Sequence, residues 1–97
     1  MFRSSSLIEA DLSDAVLTAA DFGYANLSGI ILSRADLTGA DFDHAGLDRA
    51  WLDTANLSEI KATEASFAGA CLEGARLPEA TLQNCKLVEI RGAKMSL

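Results

Sequence analysis

Ala35-Asp36-Leu37-Thr38-Gly39 runs straight into Ala40-Asp41-Phe42-Asp43-His44, and the two stretches share one pattern: Ala, Asp, a large apolar residue, then two further residues. Stepping by five in both directions from the large residue carries the pattern along the whole chain. Of the twenty positions from Phe2 to Leu97 in that frame, eighteen are Leu or Phe, the exceptions being Ala62 and Gly92. Two residues before each of these centres is a second restricted column. It is Ala from Ala10 to Ala80 except for Ile30 and Ile60, with Cys85 next. The other three columns are mixed and mostly polar.

A period of five fits neither common element. On an α-helix a five-residue step advances about 140° past a full turn, so Leu12, Leu17 and Phe22 would spiral around the axis without forming a buried stripe. On a straight strand Ala10 and Leu12 share a face, but Ala15, three beyond Leu12, points away. The pattern closes only if the chain bends once per unit, always in the same sense. It then winds into a coil whose Ala and Leu columns fill the axis. Phe2, Phe22 and Phe42, twenty residues apart, suit four units per coil, while Ile30, Ile60 and Ile90, thirty apart, do not. The residues alone leave that number open.

Six units are the plainest: Ala10-Asp11-Leu12, Ala20-Asp21-Phe22, Ala25-Asn26-Leu27, Ala35-Asp36-Leu37, Ala40-Asp41-Phe42 and Ala55-Asn56-Leu57. They resemble the motif of the pentapeptide repeat family, which is Ala, then Asp or Asn, then Leu or Phe, then two variable residues. The resemblance covers essentially the full chain. It implies an all-β fold, a right-handed quadrilateral parallel β-helix with about five coils of four pentapeptides. At ~4.8 Å between strands the solenoid would be on the order of 25 Å long.

The 97 residues are expected to form a single solenoid domain over 1–97, with 90–97 a frayed last coil or small cap. Each coil of a solenoid contacts only its neighbours, so a short chain still builds a continuous core. Ser and Thr recur just after the centres (Ser13, Thr18, Ser28, Ser33, Thr38, Ser58), where a hydroxyl is expected to bond the turn backbone. Gly29, Gly39, Gly69 and Gly74 end their units, where a corner needs backbone freedom. Ile60 and Ala62 exchange bulk within one unit, which conserves core volume. Pro78 lacks an N–H and is expected in a corner. No capping element precedes Phe2 and eight residues are short for a helix at the other end, so the ends are expected to pair with a second copy or a neighbouring repeat protein.

Composition narrows the functions. Apolar residues make up 49% of the chain, yet no run reaches the ~18 of a membrane helix, and no secretory leader is visible; a cytoplasmic protein without membrane partners is expected. Cys85 takes an inward Ala position and Cys71 an outward one on another face, so no disulfide is expected. His44 is the only His and no ligand cluster exists, so neither metal nor cofactor is expected. Phosphate loops, nucleophile elbows and concave carboxylate pairs are absent from the sequence, which argues against an enzyme.

If residues twenty apart stack, as the resemblance implies, the outward positions form four columns. Asp21, Asp41, Lys61 and Thr81 make one, with Asp43 adding an acid beside Asp41. Asp11, Ile31, Trp51, Cys71 and Arg91 make a second. Val16, Asp36, Asn56 and Arg76 make a third, and Ser6, Asn26, Gly46, Ser66 and Lys86 a fourth. Tyr24 and His44 stack in a further, corner column. The net charge is −6, most of it in residues 1–50, and this argues against direct nucleic-acid binding. Two readings follow. The first is a structural module that binds a protein partner through flat acidic faces, with Ile31, Trp51 and Cys71 as the partner surface. The second uses Asp21, Asp41 and Asp43 as an acidic face imitating DNA, since the quinolone-resistance proteins of the family resemble DNA and bind DNA gyrase.

Overall fold

The computed structural model describes residues 2–87 and 89–92. Within them each centre residue from Phe2 to Leu82 opens a corner. Its carbonyl accepts the N–H three residues on, as in Leu7 to Ala10 (3.1 Å), Phe22 to Ala25 (3.0 Å) and Leu37 to Ala40 (2.9 Å). The third residue of each corner stands at positive φ, from 54° at Thr54 to 71° at Gly39, and the residue before it does not. That combination is a type II turn. The four glycines expected at corners occupy this position, but so do fourteen other residues, Glu9, Ala19, Arg34 and Glu59 among them. Each holds an L-residue in the left-handed region at a cost of roughly 1–2 kcal/mol. The conformation persists because the same N–H is tied to a carbonyl of the next coil, as in Asp14 N–H to Ser33 O (2.9 Å). Pro78 sits at the second corner position, where its fixed φ suits the turn and no N–H is needed.

The spacing of this pairing is uniform. Parallel bridges join Ser6 to Asn26, Asp11 to Ile31, Val16 to Asp36, Asp21 to Asp41, and so on to Cys71 with Arg91. The four outward columns read from the sequence are the four bridge ladders. A bridging residue donates backward and accepts from the same coil: Ile31 N–H binds Ala10 O (2.8 Å), and Ile31 O receives Leu12 N–H (2.7 Å). The pairing differs from the expected strands in one respect. Every bridge is isolated, and among the described residues no run of pairs is long enough to make a strand. With two residues of each five in the corner, one bridge residue remains between two inward side chains.

One N–H is left over, that of the second corner residue, and it explains the Asp and Asn of the motif. Asp11 Oδ1 accepts Ser13 N–H (3.0 Å), Asp21 accepts Gly23 N–H (2.9 Å), Asn26 Oδ1 accepts Ser28 N–H (3.2 Å), Asp41 accepts Asp43 N–H (2.9 Å) and Asn56 accepts Ser58 N–H (3.0 Å). This corrects the expected role of the hydroxyls. Ser13, Ser28, Thr38 and Ser58 donate to the Asp or Asn oxygen rather than to turn backbone. Where Lys61 replaces the acid, the N–H of Thr63 turns instead to Asp43 of the preceding coil (2.9 Å).

The axis is filled as the columns require. Leu27, Leu32, Leu37, Leu47, Leu52 and Leu57 are fully buried with the Ala column between them. Phe2, Phe22 and Phe42 stack at 5.0 and 5.1 Å between ring centroids with tilts of 8° and 3°. The stack ends at Ala62, and both Ala62 and the bulkier Ile60 two positions before it are fully buried. Towards the two ends burial loosens: Phe2, Leu7, Leu12, Leu17, Leu82 and Ile90 are only partly covered. The frame holds through Arg91, whose N–H binds Ala70 O (2.8 Å). Of the expected frayed coil or cap at 90–97, residues 93–97 lie outside the described residues.

Candidate interaction surface

The Asp11–Ile31–Trp51–Cys71–Arg91 ladder carries the most apolar of the outward faces. Trp51 is 42% exposed, although it flanks the core, because its bridge position points outward. Ile31 beneath it is half-buried. Cys71 departs from expectation: it keeps its outward register yet is buried, at 9% exposure. The cover is supplied by its ladder neighbours. The Arg91 guanidinium carbon lies 5.0 Å from the centroid of the Trp51 ring, two ladder steps away, so the Arg91 side chain reaches past Cys71. Trp51 and Arg91 are therefore the exposed side chains of this stretch, with Ile31 half-buried beside them and the Cys71 thiol covered.

A groove of about 660 Å³ follows this face, floored by Ile31, Trp51 and Arg91. Its wall is the adjoining corner column of Glu9, Gly29, Arg49 and Gly69. The side chains of Glu9 and Arg49 lie against the two glycines. A Cβ at Gly29 would stand 3.1 Å from Glu9 Cγ, and one at Gly69 would stand 3.5 Å from Arg49 Cγ. Sequence reading found Trp51 but missed the groove and Arg49. The signal was present in Gly29 and Gly69 flanking Arg49 at twenty-residue spacing, but it needed the coil length to be seen.

The acidic face is more occupied than its composition implies. Asp21 accepts Gly23 N–H and pairs with Arg3 at 3.2 Å. The Gly23 N–H and then the Arg3 charge hold the Asp21 carboxyl below the usual carboxylate range. Asp41 is bound to Asp43 N–H, and Asp43 to Thr63 N–H and, at 3.5 Å, to Lys61. Each acid of this face completes a corner or an ion pair of the fold.

The corner column beyond it is also ordered. Arg3 lies over Tyr24 (5.2 Å), Tyr24 stacks on His44 (4.6 Å, 7°), and His44 Nδ1 is 3.4 Å from Glu64. These contacts bind successive coils at their corners, and the ring pair stacks as its register implies. Among the described residues, no group of three or more His, Cys, Asp or Glu is placed to hold a metal, and no helix is long and apolar enough to cross a membrane. Cys71 and Cys85 are both free thiols. Burial pushes the Cys85 thiol up, and its sulfur donates to the Ala62 carbonyl.

The family model for pentapeptide repeats matches residues 2–34, 24–59, 47–77 and 55–96, in eight copies. The chain belongs to the pentapeptide repeat family. No curated protein matches it. Among solved structures, a pentapeptide repeat protein from the Arabidopsis thaliana thylakoid lumen is 28% identical with a TM-score of 0.62, over 87% of this chain and 62% of that one. HetL, a pentapeptide repeat protein involved in heterocyst differentiation regulation in Nostoc sp. strain PCC 7120, is 30% identical with a TM-score of 0.52, over 87% of this chain. This chain spans 43% of HetL. The Cyanothece 51142 pentapeptide repeat protein Rfr23, at 19% identity and a TM-score of 0.63 over 94% of this chain and 90% of that one, shares the fold.

Proposed function

We propose that this pentapeptide repeat chain, wound as a right-handed quadrilateral β-helix of about five coils, is a non-enzymatic module that binds a partner protein through the Trp51 face. The observation that carries the reading is Trp51 itself, a large exposed aromatic set in a groove between aliphatic and guanidinium neighbours. Such anchors dominate protein contacts. The relation to HetL, a protein involved in heterocyst differentiation regulation, is consistent with a binding role. Affinity capture with the wild-type chain and with Trp51→Ser, both shown to be folded by circular dichroism, tests the reading. Loss of a specific partner in the variant supports it, and an unchanged set of captured proteins refutes it.

A second reading is favoured by the N-terminal edge. The N–H groups of Ser6, Asp11, Val16 and Asp21 have no backbone partner among the described residues, and Leu7, Leu12 and Leu17 beside them are only partly covered. Such an edge suits a further repeat unit as its next coil, whether of the same chain, a second copy or a neighbouring repeat protein. A single monomeric species in sedimentation at high concentration rules out the second copy. Imitation of DNA at gyrase finds less support, since Asp21, Asp41 and Asp43 are committed to corner N–H groups and cations. Supercoiling by gyrase is expected to be unaffected by this chain.

A further inference from the structure

We propose that the groove beside Trp51 takes an extended acidic peptide segment of the partner, with one apolar side chain laid against the indole and its carboxylates held by Arg49 and Arg91. The inference rests on the protein-binding reading above and specifies the chemistry of what is bound. Its first support is shape. The wall residues Glu9, Gly29, Arg49 and Gly69 are twenty apart in sequence, and so are Ile31 and Trp51 on the floor, so the groove crosses successive coils. From the coil of Glu9 to that of Arg91 is about four steps of ~4.8 Å, close to the length of roughly six extended residues at ~3.3 Å each.

The second support is charge. Arg3 and Arg34 are paired with Asp21 and Asp14, whereas neither Arg49 nor Arg91 forms an ion pair among the described residues. Two guanidinium groups without an ion pair among the described residues, that of Arg91 lying over the Trp51 ring, in a chain of net charge −6, make a local reversal of sign. Guanidinium forks bind carboxylates in a bidentate manner, and the exposed ring supplies the apolar anchor. Glu9 marks the opposite end of the groove, and Asp11 begins the same ladder. They repel anions there, which places the peptide's acids towards Arg49 and Arg91. The same two acids disfavour a nucleic acid, which carries a charge at every step. Gly29 and Gly69 matter because they leave room for Glu9 and Arg49 to lie across the wall and reach the groove.

The test is selection of a random-peptide display library on the wild-type chain, with Trp51→Ser as the counter-selection. Selected peptides are then titrated by the fluorescence of Trp51, the only tryptophan in the chain. Peptides that combine Asp or Glu with an aromatic or Leu, and that weaken about tenfold for each of Arg49→Gln and Arg91→Gln, support the proposal. Peptides that depend on Trp51 but are neutral or basic, and indifferent to both arginine changes, overturn the acidic occupant while leaving the face as a binding surface. No enrichment over the Trp51→Ser chain overturns the proposal, and the capture experiment judges the face separately. A single-stranded oligonucleotide that changes Trp51 fluorescence at lower concentration than the best peptide also overturns it. Circular dichroism of every variant excludes loss of fold as the cause.

Discussion

The exchange of bulk at Ile60 and Ala62 can be transplanted. Phe42 stands one coil before Ala62 in its column and Ala40 one coil before Ile60, and all four are fully buried. Phe42→Ala alone deletes a ring stacked 5.1 Å from Phe22 and leaves a cavity in a lumen with little room to collapse, at a cost of about 3–5 kcal/mol. Ala40→Ile alone pushes extra methylenes against Phe42 and costs about 1–3 kcal/mol. If the two effects were independent, the double change would cost the sum, roughly 4–8 kcal/mol, enough to unfold many domains. They are expected to be coupled, because the new Ile would stand two residues before the shortened side chain, as Ile60 stands before Ala62, and supply bulk where the ring is removed. The double variant is therefore expected to be more stable than Phe42→Ala, with a coupling of about 2–3 kcal/mol. Urea unfolding followed by Trp51 fluorescence and by circular dichroism, on wild type, both singles and the double, measures it. Additive losses, or a double variant weaker than Phe42→Ala, would refute the reading of Ile60 and Ala62 as compensating partners.

The corners give a second prediction. Gly39 stands at φ 71° with no atom near the position of an added Cβ, so Gly39→Ala reports backbone strain without a clash and is expected to cost about 1 kcal/mol by urea unfolding. Its reverse, Ala19→Gly at φ 58°, is expected to be neutral or mildly stabilising in the same assay. Asn56→Asp keeps the acceptor for Ser58 N–H and is expected to change stability little, whereas Asn56→Leu leaves that N–H unpaired and costs about 1–2 kcal/mol. Acid weakens the fold in a defined window. The Ser13 hydroxyl and N–H lower the pKa of Asp11, the Arg34 hydrogen bond lowers that of Asp14, the Gly23 N–H that of Asp21, and the Thr38 hydroxyl and N–H that of Asp36. Folded-state pKa values below the unfolded value of about 3.9 mean that this stability is complete above that pH and is lost as pH falls through the folded values. The urea midpoint is therefore expected to stay level on this account from neutral pH down to about 5 and to drop below 4, and a drop confined to higher pH would contradict it.

The repeat frame was legible because the chemistry that sets it is local. A centre such as Leu37 with Ala35 before it can share one interior only if the chain turns at Thr38-Gly39. Coil length was not legible from the residues alone, since Phe22 and Ile60 point to different spacings and neither is a contact until the coils are stacked. The work done by Asp11, Asp41 and Asn56 was also hidden. An acid before each centre reads as surface charge, and only the count of corner N–H groups shows it closing the turn. Cys71 was misread for a similar reason. Its register is outward, but its burial is decided by Arg91 and Trp51, twenty residues away on either side.

The account depends most on the twenty-residue return. With Cys71 and Cys85 replaced by Ala, cysteines at Lys61 and Thr81 occupy bridged, exposed positions. Neighbouring chains about 4.8 Å apart lie within the Cα range of a disulfide. Mild oxidation is expected to cross-link this pair quickly and leave Lys61→Cys with Arg76→Cys, or with Lys86→Cys, unlinked. Faster cross-linking at a spacing of fifteen or twenty-five residues would contradict the coil and every surface built on it.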